Sequence, residues 1–191
     1  MLLAYSLTGH DNDSYFFETA PDDLFCPNCG SCLDGSYVPT NMRVKKKYDI
    51  GSSYDGREIV SARFKAFCEE NYPGEADFFP VTMKADFFYM TIRRILVFDT
   101  EKYGTRFDKL CHLCGNYESI TGCSPGLIKN QPEPIERGFY RTDVIFGSGR
   151  EKSPFFIIGL KTKEEIKAMK FTKPSMNPVY DELPLQKPQR K

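Results

Sequence analysis

The sequence contains no tryptophan and only two histidines, His10 and His112, among its 191 residues. So small a histidine supply argues against a catalytic metal centre, which usually draws on His or carboxylate ligands and keeps one position open. The His-Glu-x-x-His, Gly-x-Ser-x-Gly and phosphate-loop patterns are also missing. Net charge is missing too, since 26 Lys and Arg balance 26 Asp and Glu. A neutral chain has no general attraction to nucleic acid or to anionic membrane, which leaves only local patches to consider. No apolar run approaches the roughly 18 residues of a spanning helix. The opening stretch Met1 to Asp11 has neither a basic start nor a long apolar centre, so it does not read as a signal peptide.

What is abundant is aromatic and apolar surface. Sixteen Phe and eleven Tyr, with 40% apolar residues overall, suffice for a packed core in one domain or two small ones. Seven cysteines stand at 26, 29, 32, 68, 111, 114 and 123. Their paired spacing suits metal better than a disulfide framework. Thiolates persist in a reducing compartment, so a cytoplasmic location is expected.

Two motifs carry the chemistry: Cys26-Pro27-Asn28-Cys29-Gly30 and Cys111-His112-Leu113-Cys114-Gly115. Each Cys-x-x-Cys turn presents two thiolates to one side of a metal, and two turns complete a tetrahedral set. The following glycine suits a backbone turning through positive φ, and N–H groups in such a turn point at sulfur. Cys26, Cys29, Cys111 and Cys114 are therefore the expected ligands of a structural Zn²⁺. Cys32 repeats the same gap from Cys29 and competes for that role. Cys68 reads as a small apolar core residue and Cys123 as a free thiol near the site. A redox dithiol fits poorly, because such pairs sit between a strand and a helix, whereas Cys26 follows Asp22-Asp23-Leu24-Phe25 and Cys29 runs into Gly30-Ser31. Four thiolates leave no open position, and no cofactor-binding or catalytic residues are assigned, so an enzyme is not expected. Were there one, it would need a deep pocket with convergent polar groups near Arg141 and Asp143.

Along the chain, residues 2–7 and 14–18 read as strands around a polar turn. Residues 42–48, with Arg43, Lys45, Lys46 and Lys47, read as a solvated edge strand, since lysines blunt sheet edges. A nucleic-acid surface would instead bring these cations beside a knuckle. The knuckle tips themselves, Pro27, Asn28, His112 and Leu113, are uncharged or nearly so, and offer little to phosphate. Glu58 to Val60 is a strand, Ser61 a cap, and 62–70 a helix with Phe64, Phe67 and Cys68 on one face. Asp77 to Val81 is extended. Residues 86–98 are the most β-prone run, a long strand or a hairpin. Residues 138–147 make a strand or contain a short helix, and Pro154 to Ile158 is a buried strand. Thr162 to Glu165 matches a capping box for a last helix, and Met176 to Tyr180 is again extended. A faint repeat relates Ile59-Val60-Ser61, a helix and Pro80-Val81 to Ile157-Ile158-Gly159, a helix and Pro178-Val179. Its anchors lie at 60 and 158, 61 and 159, and 80 and 178, a constant offset of 98.

This layout resembles the bacterial double-CXXCG proteins, grouped with immunity proteins of polymorphic-toxin and contact-dependent competition systems. The resemblance spans roughly residues 24–180. It rests on the two knuckles, then Phe139-Tyr-Arg-Thr-Asp143, Glu151-Lys-Ser-Pro-Phe-Phe-Ile-Ile158, a helix and Pro178-Val179. It implies a non-enzymatic cytoplasmic protein that binds and neutralises a cognate toxin protein, with no membrane partner. A zinc-ribbon nucleic-acid-binding or regulatory protein is the alternative. The expected fold is α+β, with two similar strand–helix–strand lobes joined by a four-cysteine zinc-knuckle site. In one domain over residues 1–182, the knuckles lie near 24–34 and 109–118 and the lobes at about 55–100 and 137–181. A loose tail is expected over 183–191.

Overall fold

Strand formation dominates, as the wealth of Phe, Tyr, Ile and Val directs. The computed structural model describes residues 1–124, 126–172 and 174–182, and the tail expected over 183–191 lies outside the described residues. In chain order the elements are β1 (Leu2–Ser6), β2 (His10–Asp11), β3 (Ile50–Ser52), β4 (Glu58–Ser61), α1 (Ala62–Asn71), β5 (Ala76–Pro80), β6 (Phe87–Ile92) and β7 (Ile95–Leu96). There follow α2 (Thr100–Tyr103), β8 (Arg106–Leu110), β9 (Tyr117–Thr121), β10 (Gly126–Leu127), β11 (Phe139–Ser148), β12 (Ser153–Ile158), α3 (Leu160–Ala168) and β13 (Pro178–Tyr180). The result is a mixed α+β fold, mostly sheet with few helices.

The strands form two sheets. The smaller runs β2-β3-β4-β6-β5, and the larger runs β10-β13-β1-β12-β11-β9-β8 with β7 also paired to β11. In the small sheet β4 and β5 flank an antiparallel β6, and α1 connects them. In the large sheet β12 and β13 flank an antiparallel β1, and α3 connects them. Both stretches of the faint repeat thus have the same local topology. Both helices also bury their apolar faces in one shared layer. Phe64, Phe67 and Cys68 of α1 and Ile166 of α3 pack there with Val60, Met90, Phe139, Phe156 and Ile158. Strand alternation sends Ile157 to a second cluster with Leu3, Phe98 and Val179. It sends Ile59 to a third, with Phe16, Phe17, Leu24, Phe25 and Val81.

Several local expectations change. Residues 14–18 form no strand. The Asp55 carboxylate accepts the N–H groups of Phe16 (2.9 Å) and Phe17 (2.8 Å), holding a turn that drives both rings inward. The run 42–48 is an irregular loop, not an edge strand, with Lys45 paired to Asp13 and Lys46 to Asp86. The β-prone run 86–98 is neither one strand nor a hairpin. It breaks at Arg93 and Arg94, which pair with Asp77 and Glu75, and β7 continues in the other sheet. Ser61 caps α1 by accepting from Phe64 N at 3.2 Å, as the sequence suggests. Thr162, by contrast, is no cap: α3 begins at Leu160 after Gly159. Thr162 is instead buried, and its hydroxyl accepts from Gly138 N (2.9 Å) and the Tyr72 hydroxyl (3.0 Å), fixing α3 to the end of α1. Residues 139–148 are wholly strand.

Candidate metal centre

Each knuckle is built on a different support. The first follows a short helical turn at Asp22–Leu24 whose Leu24 and Phe25 anchor in the cluster over the small sheet. A bridge between Phe25 and Cys32 closes its base. The second forms the tip of the β8–β9 hairpin, at the edge of the large sheet. Both fold alike. Cys26 N donates to Ser31 O (2.9 Å) and Gly30 N to Cys26 O (2.8 Å); Cys111 N donates to Asn116 O (2.8 Å) and Gly115 N to Cys111 O (2.8 Å). Gly30 and Gly115 have φ of +71° and +74°, the left-handed region in which a Cβ is strained.

The turns meet through their sulfurs. The four Sγ atoms of Cys26, Cys29, Cys111 and Cys114 all lie within 4.8 Å of one another. Cys26 and Cys111 are 3.7 Å apart, and Cys29 and Cys114 are 3.5 Å apart. A tetrahedron with metal–sulfur bonds of about 2.3 Å places its sulfurs about 3.8 Å apart, whereas a disulfide requires about 2.05 Å. The spacing is compatible with a metal site and too long for disulfides, and all seven cysteines are free thiols.

Donors surround the sulfurs. The Asn28 side-chain amide reaches Cys111 Sγ at 3.2 Å, and the Asn116 amide lies 3.6 Å from Cys114 Sγ. The Asn28 amide, followed by the N–H groups of Cys114 and Leu113, draws the Cys111 thiol down to about 6. The Ser31 hydroxyl, 3.1 Å from Cys29 Sγ, lowers that thiol as well. Cys26 moves the other way, up to about 11. The Cys29 N–H favours its thiolate, but loss of water and the crowded sulfurs of Cys114 and Cys111 outweigh it. Lys152, only 9% exposed, donates to Ser31 Oγ (2.6 Å) and to Tyr117 O (2.5 Å). It thus sets a cation behind the first knuckle and ties it to the base of the second. Four thiolates around a divalent metal would carry two excess negative charges, which this cation and the amides would offset.

The remaining sequence candidates fall outside the cluster. Cys32 donates to Asp34 O (3.2 Å), Cys68 is buried in the shared helix layer, and Cys123 packs beside the second cluster. His112 is exposed, and His10 stacks on Tyr48 with ring centres 4.8 Å apart. Sequence reasoning missed Lys152, Ser31 and the part played by both asparagines. The only trace of Lys152 was the Lys-Ser-Pro step quoted for the family resemblance.

A separate cavity of about 580 Å³ opens where β4 and β6 of the small sheet meet β11 and β12 of the large one, with Arg141 and Asp143 in its wall. Asp143 is engaged by the N–H groups of Phe98 (2.9 Å) and Val144 (3.0 Å). Glu58, also in the wall, accepts from Gly9 N at 2.9 Å, and burial pushes its carboxyl up to about 8.

Comparison with protein-family models, with curated proteins and with solved structures finds no match to this chain. Among the described residues no helix is long and apolar enough to cross a membrane.

Proposed function

We propose that the four thiolates hold a structural Zn²⁺, and that the protein acts without catalysis as a cytoplasmic immunity protein, binding and neutralising a cognate bacterial toxin. The observation that carries the metal assignment is the set of four sulfurs within 4.8 Å. Soft thiolates in a tetrahedral set select zinc or iron over hard cations, and a closed set gives the metal a folding role. In this reading the two strand–helix–strand units are similar lobes. The clasp joins the loop resting on the small sheet to the hairpin of the large one.

The toxin assignment rests on the family resemblance of the knuckles, and one surface suits it. All five residues of β8 are exposed, and β8 ends the large sheet. Phe107 is 40% exposed and Leu113, at the knuckle tip, 66%. An open edge flanked by apolar side chains accepts a partner strand, and a metal-stiffened hairpin presents it with little ordering cost. The nucleic-acid alternative gains no support from the basic run, whose Lys45 and Lys46 are paired with Asp13 and Asp86.

Two measurements test the proposal. Elemental analysis of the purified protein is expected to find one zinc per chain; iron in its place would appear as visible absorption and replace the zinc assignment. Co-purification with the product of a toxin-like reading frame directly upstream tests the partner. If that product neither binds nor loses activity, the immunity reading fails.

A further inference from the structure

The cavity between the sheets contains two arginines that form no ion pair among the described residues. Arg63, Arg93, Arg94, Arg137 and Arg150 each form an ion pair. Arg57 and Arg141 form none among the described residues, yet both line the cavity and are only partly exposed. Backbone carbonyls hold them in place. Arg57 Nη1 donates to Asp55 O (3.1 Å) and Lys152 O (2.8 Å), and its guanidinium lies 4.9 Å from the Phe17 ring centre. Arg141 donates from Nε to Ile92 O (3.0 Å) and from Nη1 to Thr142 O (3.2 Å). A guanidinium has five N–H donors, so each retains donors beyond these bonds. A half-buried charge without a counter-ion is costly, and a pinned guanidinium is prepared for an oxyanion.

Of the carboxylates in the wall, Asp77 is paired with Arg93 and Asp143 is engaged by the N–H groups of Phe98 and Val144. Tyr89 and Thr91 alternate on β6 with Met90 and face the cavity side, and the Tyr89 hydroxyl has no protein partner among the described residues. Burial raises that hydroxyl's pKa, and the charges of Arg57 and Arg141, which line the same cavity, pull against the rise. Glu58 adds little negative charge near neutrality, because burial keeps its carboxyl largely protonated. Ile145 and Phe156 supply apolar surface. A volume of about 580 Å³ falls within the range of small-molecule sites.

We propose that this cavity binds a small organic anion, its carboxylate or phosphate held by Arg57, Arg141 and the Tyr89 hydroxyl and its apolar body against Ile145 and Phe156. The site lies apart from the cysteine cluster and does not depend on the toxin reading.

Phenyl phosphate and benzoate serve as anionic probes and benzyl alcohol as their uncharged counterpart, with binding to the metal-loaded protein followed by calorimetry and by thermal unfolding. At least one anion is expected to bind and raise the melting temperature, and benzyl alcohol to do neither. Arg141→Met is expected to weaken the anion about tenfold or more, and Tyr89→Phe by about threefold. Arg141 also braces the backbone, so Arg57→Lys and Tyr89→Phe decide the matter if Arg141→Met does not fold. Failure of both anions to bind overturns the proposal. So does benzyl alcohol binding equally well, or anion binding that is unchanged in every folded variant.

Discussion

Lys152 donates to Ser31 across 121 residues of chain at 2.6 Å, and Ser31 in turn stands 3.1 Å from Cys29 Sγ. This contact ties the first knuckle to the large sheet, because the same ammonium also holds Tyr117 O at the start of β9. Lys152→Met is therefore expected to lower stability by about 2–3 kcal/mol, the scale of hydrogen bonds to a buried charge. It should also weaken metal binding by about ten- to a hundredfold. Ser31→Ala should cost less, about 1 kcal/mol. Urea unfolding and a competitive zinc chelator measure the two effects; a Lys152→Met protein with unchanged midpoint and affinity would contradict the linkage.

Removing a ligand has a larger expected effect. Structural zinc contributes on the order of 10 kcal/mol to small metal-stabilised folds, comparable with the whole stability of a typical domain. Cys114→Ala is expected to release the metal and unfold the hairpin tip together with the first knuckle. Cys32→Ala and Cys123→Ala, outside the cluster, should retain full metal content. Elemental analysis with circular dichroism reads both, and a folded, equally stable Cys114→Ala protein would refute a structural metal.

The Asp55 carboxylate is 2% exposed and accepts two backbone N–H groups and the Ser53 hydroxyl (2.6 Å). Asp55→Ala strands those donors and releases the turn that seats Phe16 and Phe17. A loss of about 3 kcal/mol is expected, read from the urea midpoint. Ser36→Ala, on an exposed turn, should change the midpoint by less than about 0.5 kcal/mol.

Glu58 predicts a pH dependence. Its folded carboxyl titrates near 8, against an ordinary value of 4.5. Between these values the folded state binds more protons than the unfolded state, so this group lowers stability as pH rises. Its contribution is complete below the unfolded value and lost as pH passes about 8. Glu58→Gln should therefore gain progressively on the parent protein as pH rises from about 5 to about 8 and keep that gain above it, by up to about 5 kcal/mol. Urea titrations at a series of pH values would show parallel curves if the carboxyl is not strained by burial.

Local chemistry made the knuckles, α1 and its Ser61 cap legible in the sequence, because each is specified within a few residues. The 98-residue offset likewise pointed to two stretches with the same strand–helix–strand topology. Most of the failures involve a distant partner. Residues 14–18 look β-prone until Asp55 captures two of their N–H groups. Residues 86–98 look continuous until Arg93 and Arg94 meet acids near β5 and the chain changes sheet. Residues 106–110 escaped notice because every one of them is exposed and no burial pattern marks them as a strand. The inter-sheet cavity is assembled from several distant segments. Only its Arg141 and Asp143 could be flagged in advance.

The position of β1 has a consequence for biosynthesis. This strand lies between β12 and β13, so residues 2–6 wait for residues 153–158 and 178–180 before their pairing is complete. On the ribosome Leu3 and Ala4, fully buried in the finished protein, emerge long before the strands that cover them. A shorter delay, of 85 residues, separates Cys26 and Cys29 from Cys111 and Cys114. Until those strands emerge the nascent chain carries an unpaired β-strand, and until residues 111–114 emerge the first knuckle lacks its partner thiols, an interval in which chaperones have most to protect.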